Sequence, residues 1–211
     1  MDVLTLDRPV EVQELKKSIT FQEFLAAVDG GIHAELEDGE VIFMSPASVP
    51  HQELSGWLYT ILRFFVRQRR LGRILQAPFT VRLNVSEQGR EPDLLFIGHA
   101  KLAQLHSGFL DGPPDLVVEI ISPESIDRDR GRKFVEYEAE RIPEYWLIDP
   151  IREQAEFYRL GKDSRYHQAL PDADGIFHSE SVPDFWLRTA WMWEDPLPNE
   201  LDVLRELGVL S

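Results

Sequence analysis

The segment GPPDLVVEIISPES, residues 112–125, reads as a turn, a strand and a stop. Gly112, Pro113 and Pro114 break whatever precedes them. From Asp115 to Ile121 the chain is almost wholly apolar and mostly β-branched, with no polar alternation. That is the pattern of a strand buried on both faces. Ser122-Pro123 terminates it. Both faces of such a strand need cover, which points to an α/β domain rather than an open antiparallel sheet. One residue interrupts the run. A bare carboxylate at Glu119 is expensive in an apolar strand, so it is paired, protonated or bound to a cation.

Upstream, Glu91-Pro92-Asp93 opens another strand reaching Ile97. If the two strands are neighbours, Asp93 and Glu119 converge at the sheet edge. Two carboxylates plus waters suit Mg2+ or Mn2+, hard cations that take few protein ligands. Downstream, a helix runs from about Arg128 to Arg141 and is ended by Ile142-Pro143. Lys133 falls on its first or second turn and can point back over the end of the Glu119 strand. There it can orient a water or neutralise phosphate charge. The alternative is a solvated lysine paired with Glu136 or Tyr137. Tyr137, one turn further, either packs or hydrogen-bonds into the site. Asp129, four residues before Lys133, pairs with it or caps the helix.

The rest of the chain supports one domain with a mixed sheet. Thr20 and Glu23 form a capping box for a short helix carrying Phe24, Leu25 and Val28, with Gly30-Gly31 as its stop. In HAELEDGEVIFM (residues 33–44), two alternating runs flank Asp38-Gly39, a strong hairpin signal. Glu35 lies in its first strand, facing either solvent or a site. From Val49 to Leu71, Leu54, Leu58, Ile61 and Phe65 form one apolar helical stripe, closed by Gly72. His51, at its start, can contact a phosphate or assist proton transfer; otherwise it caps the helix. Arg63, Arg67 and Arg70 share another face, by default a solvated one; together with Arg128, Arg130 and Arg132 they are the candidate phosphate-tracking cations. Residues 74–85 read as two short strands or one bent one, 86–90 as a turn, and 98–114 as a loop. EYWLID (144–149) is a strand ending at a turn residue, Asp149. EFYRL (156–160) and RYHQAL (165–170) form an additional C-terminal hairpin. Phe185, Trp186, Trp191 and Trp193 pack on the body or across a dimer, and PLPNELDVLREL (196–207) is a last short helix. We therefore divide the chain into an arm (1–19), the domain (20–195) and an acidic tail (196–211).

Composition excludes several classes. The 22 basic against 37 acidic side chains give a formal charge of −15, so no general cationic coat for nucleic acid exists, and contact with DNA must use local basic patches. With no cysteine, thiol nucleophiles, disulfides and Cys-based zinc sites are out. No apolar run approaches the roughly 20 residues that span a bilayer, and the start of the chain is acidic where a signal peptide is basic and apolar. These features point to a soluble cytoplasmic protein.

The segments ELEDGEVIFMSP (35–46), EPDLLFI (91–97), GPPDLVVEIISPES (112–125) and DRGRKFVEYEAERIPEYWLIDP (129–150), in this order and spacing, resemble the Uma family of restriction-endonuclease-like proteins, long a domain of unknown function. The resemblance covers residues 20–195 and places the chain near the PD-(D/E)XK nucleases. It implies a restriction-endonuclease-like mixed central sheet flanked by helices, and a divalent-metal site. It makes Asp93 the PD aspartate, Glu119 the second acid and Glu35 a further acidic position holding metal directly or through water. The superfamily lysine two residues after that glutamate is replaced by Ile121, and its role passes to Lys133. The implied activity is Mg2+- or Mn2+-dependent hydrolysis of DNA phosphodiester bonds, with Asp93, Glu119, Lys133 and Glu35 as the catalytic set and His51, Tyr137, Arg63 and Arg67 as substrate contacts. Its rival is an inactive nuclease-fold module acting as a homodimer. A metal-free hydrolase with paired carboxylates, such as a glycosidase, ranks below both.

Overall fold

A computed structural model describes residues 18–28, 32–122, 126 and 128–210. The expected arm, the Gly30-Gly31 stop and Pro123 lie outside the described residues, apart from the arm's last two positions. In chain order the elements are α1 (Phe21–Ala27), β1 (Ala34–Glu37), β2 (Glu40–Phe43), α2 (Val49–Arg69), β3 (Gly72–Gln76), β4 (Thr80–Leu83), β5 (Gln88–Arg90), β6 (Leu94–Gly98), β7 (Phe109–Asp111), β8 (Leu116–Ile120), α3 (Phe134–Ala139), β9 (Glu144–Asp149), β10 (Gln154–Leu160), β11 (Tyr166–Ala169), β12 (Ile176–His178), β13 (Trp186–Arg188) and α4 (Glu200–Glu206).

The central sheet has six strands in the order β11-β10-β9-β8-β6-β3. It is mixed: β8 and β9 run parallel, joined by the segment carrying α3, while β6 runs antiparallel to β8. Every residue of β8 is buried, Glu119 included, as its nearly continuous apolar run requires. Alternation sends Leu116, Val118 and Ile120 to one face and Val117 and Ile121 to the other. The first face packs under α2, α4 and the β12–β13 hairpin. The second meets a five-stranded sheet, β2-β1-β5-β4-β7, through Val81, Leu83 and Leu110. The expected restriction-endonuclease-like α/β fold is present, with a second sheet layered on it. The β10–β11 hairpin extends the central sheet instead of standing apart from it.

Local signals explain much of this. Thr20 and Glu23 make the reciprocal capping box of α1. Asp38 (φ 51°) and Gly39 (φ 80°) both adopt the left-handed conformation of the tight turn joining β1 and β2. Ser48 caps α2 by accepting from the His51 amide. That helix is closed not by Gly72 but by Arg70, itself left-handed at φ 55°. Gly72 instead opens β3, where a Cβ would lie 2.1 Å from the Ile97 carbonyl oxygen. Two other readings are corrected. Residues 88–90 form β5, and the supposed loop 98–114 contains a 3-10 turn and β7. Residues 74–85 carry two short strands, as the first of the two expected readings has it, and these lie in different sheets.

The C-terminal segment packs into the core: Trp191 and Met192 are buried ahead of the tail, and within it Val203 and Leu204 of α4 pack under α2. Trp57 of α2 donates its indole N–H to the Pro198 carbonyl at 2.7 Å. We expect Trp57→Phe to cost about 1–3 kcal/mol by leaving that carbonyl unsatisfied. In a chain of this size that lowers Tm by roughly 2–4 °C per kcal/mol. A thermal melt unchanged from the parent refutes this anchoring role.

Candidate active site

The β6–β8 register pairs Leu94 with Val118. One residue further, Asp93 and Glu119 stand side by side where both strands end. Both line a cleft of about 550 Å³ whose walls include the β2–α2 connection, the first turn of α2 and residues 128–133.

Asp93 is held from two sides. Its Oδ2 accepts the Ile120 amide at 2.7 Å and lies 3.2 Å from His51 Nε2. Burial pulls the His51 imidazole down, but the hydrogen bond and charge of Asp93 outweigh it, so His51 sits above its ordinary pKa. Glu119 is almost fully buried. Its Oε1 accepts from Lys133 Nζ at 2.9 Å and from the Tyr137 hydroxyl at 2.7 Å. Burial pushes its carboxyl upward, and Asp129, Asp93 and Glu35 push the same way against the pull of Lys133.

Lys133 reaches Glu119 because Arg128–Lys133 form a π-type turn above the end of β8. Turns of this kind are frequent at functional sites. The turn is tied down where Tyr145 of β9 donates to the Asp129 carbonyl at 3.1 Å. The ammonium is buried, 3.0 Å from Glu35 and 3.4 Å from Asp129. Burial opposes its charge, yet the Glu119, Glu35 and Asp129 carboxylates hold its pKa well above the ordinary range. It is therefore neither the solvated lysine nor the partner of Glu136.

Glu35 is buried completely rather than solvated. Oε1 meets Lys133 and the Glu91 amide (3.2 Å), and Oε2 meets Arg90 Nη1 at 3.0 Å. Burial raises its pKa, but Lys133 and Arg90 outweigh that and bring it to about 2. Both oxygens are engaged, so the geometry makes it a brace behind Lys133 rather than an open ligand. Tyr137 is likewise a brace, buried behind Glu119. Arg63 and Arg67 lie elsewhere. Arg63 is exposed and donates to the Tyr59 hydroxyl. At 1.5 Å rise per residue it is roughly 18 Å along α2 from His51. Neither arginine lines the cleft.

Three participants escaped the sequence reading. Arg90 is fully buried and binds Glu136 with a two-pronged contact (2.8 and 2.7 Å), Glu37 at 2.8 Å and Glu35. Glu91 faces the cleft, and burial above all lifts its pKa to about 7. His33 Nε2 stands 3.3 Å from Glu91 Oε2 without satisfying that oxygen. Glu91 was visible only as the neighbour of Pro92-Asp93, and nothing in the sequence marks His33.

A mixed sheet whose strand ends present paired carboxylates and a buried lysine to one cleft defines a restriction-endonuclease-like α/β protein. The chain belongs to the Uma2 family, described as "Putative restriction endonuclease", whose model matches residues 21–190. Among solved structures it is similar to "a putative nuclease belonging to DUF820" from Anabaena variabilis, at 17% identity and a TM-score of 0.69, over 83% of this chain and 97% of that one. No curated protein matches the sequence. No helix among the described residues is long and apolar enough to cross a membrane.

Proposed function

We propose that this protein is a divalent-cation-dependent endonuclease that hydrolyses DNA phosphodiester bonds. The observation that carries the reading is the convergence of Asp93, Glu119 and Lys133 in one cleft, from two adjacent strands and the turn after them. Among the described residues no three His, Asp or Glu side chains form a ready-made metal cage. The donor chemistry nonetheless fits a hard cation. Asp93 and Glu119 present hard oxygens side by side, Glu91 Oε2 is buried without a hydrogen bond, and carboxylates outnumber the ammonium among them. Mg2+ and Mn2+ keep several waters and need few protein ligands. Asp93 and Glu119 would hold the ion, which would supply Lewis-acid stabilisation of charge on the phosphate. Lys133 orients the attacking water and offsets charge developing on phosphate oxygens. Glu35 and Tyr137 fix Lys133 and Glu119, and His51 fixes Asp93. A homodimer would present two clefts to the two strands of a duplex.

One observation favours the rival module: Lys133 already neutralises Glu119. Calorimetric titration of Mn2+ and Mg2+ into the protein and its Asp93→Ala and Glu119→Ala variants separates the two. Saturable binding lost in both variants, together with Mn2+-dependent plasmid nicking by the parent alone, is the expected result. Binding absent from the parent, even with an oligonucleotide present, leaves the module reading.

A further inference from the structure

Resting on the nuclease reading, we infer that Arg128 is the residue that grips a phosphate of the substrate in the cleft. The cations around this site are almost all spent. Lys133 is held by Glu35, Glu119 and Asp129, and Arg90 by Glu35, Glu37 and Glu136. Arg130 is paired with Glu156 and Asp149, and Arg132 with Glu37 and Asp38. Arg128 differs. It lines the same cleft as Asp93 and Glu119. Among the described residues no carboxylate lies at ion-pair distance from it, and its Nε is buried without any hydrogen-bond partner.

An unsatisfied buried guanidinium nitrogen is costly, and in a cleft it is a donor that an entering ligand can satisfy. Arginine presents a planar fork of donors that matches two phosphate oxygens at once. The cleft is also lined by the carboxylates Glu91, Asp93, Glu119 and Asp129, which repel phosphate. Beside a cation held by those carboxylates, an uncommitted protein cation strengthens the hold on an anionic substrate, and in a chain of net charge −15 that cation must be local. The π-type turn that delivers Lys133 delivers Arg128 to the same cleft, so a phosphate held by Arg128 is presented to the Asp93–Glu119–Lys133 group.

The test uses the full chain, a fluorescein-labelled DNA duplex as probe, Ca2+ for binding by anisotropy, and Mn2+ for cleavage. Parent, Arg128→Met and Arg128→Lys are compared, with folding of each checked by thermal melt. Arg128→Met should weaken binding and raise KM roughly 10- to 100-fold, and should reduce the slope of log K against log salt by about one. Arg128→Lys should recover the salt slope but not the full affinity, because a point charge replaces the fork. If Arg128→Met does not fold, the Arg128→Lys comparison decides alone. Both variants matching the parent in affinity, KM and salt slope would overturn the inference while leaving cleavage, and so the nuclease reading, intact. Arg128-dependent binding without cleavage by the parent sustains the phosphate site and overturns the nuclease. Neither binding nor cleavage by the parent overturns both.

Discussion

An Arg90→Met variant is expected to lose at least about 3–5 kcal/mol of stability, the usual cost of stripping one partner from a buried ion pair. Domains of this size have only about 5–15 kcal/mol to lose, so much of the variant should be unfolded or insoluble at 37 °C. The magnitude follows from position. Arg90 is fully buried and serves Glu35 and Glu37 of β1 and Glu136 of α3, elements far apart in the sequence. Methionine fills much of the volume but leaves Glu136 with no cation and Glu35 with Lys133 alone. Urea unfolding followed by circular dichroism measures the loss, and an unfolding free energy within about 1 kcal/mol of the parent would sink the argument. A pH series adds a signed check. Glu35 titrates near 2 in the folded protein against 4.5 as the ordinary value. Its contribution is therefore complete above about pH 4.5 and disappears as pH falls toward 2. In Arg90→Met this acid-side dependence should shrink, since Arg90 is one of the two cations that depress Glu35.

Why Arg90 was not legible in the sequence is a matter of range. It sits in a three-residue strand that reads as a turn, since so short an element carries no measurable period. Its meaning depends on partners about 50 residues away in each direction, and no local pattern encodes such pairings. The same holds for His33, and for β7 inside an apparent loop. What was legible was local or strongly periodic: the stripe of α2, the Asp38-Gly39 turn, and above all Glu119 in an apolar strand. That carboxylate was costly unless compensated, and the compensation is visible in Lys133 and Tyr137. The segment from Arg128 to Arg141 lies between these cases. Its helical pattern is real, but its first six residues take the wider π-type geometry, which the propensities of consecutive charged residues do not reveal. Without that turn, the loss of the superfamily lysine at Ile121 would read as loss of the site. With it, the ammonium reaches Glu119 from the following helix.

The second large effect concerns that ammonium. A lysine has three donors. In the folded protein one goes to Glu119 and another faces Glu35 at 3.0 Å. Asp129 stands at 3.4 Å, and its Oδ1 makes no hydrogen bond. The weakest of the three contacts is thus the one a water or phosphate oxygen displaces, so Lys133 can act without releasing Glu119. Lys133→Met removes this donor from the reaction and should lower kcat roughly 10²–10³-fold. Two further results separate a chemical role from a structural one. Without the competing ammonium, Asp93 and Glu119 should bind Mn2+ at least as tightly as in the parent. The variant should also melt lower in EDTA because Glu119 and Asp129 crowd uncompensated and Glu35 keeps only Arg90, and saturating Mn2+ should restore most of that loss by binding only the folded state. Cleavage that recovers together with the melting temperature would make Lys133 a structural counter-ion. Cleavage that stays at least about a hundredfold down in a refolded, Mn2+-saturated variant places the lysine in the chemistry.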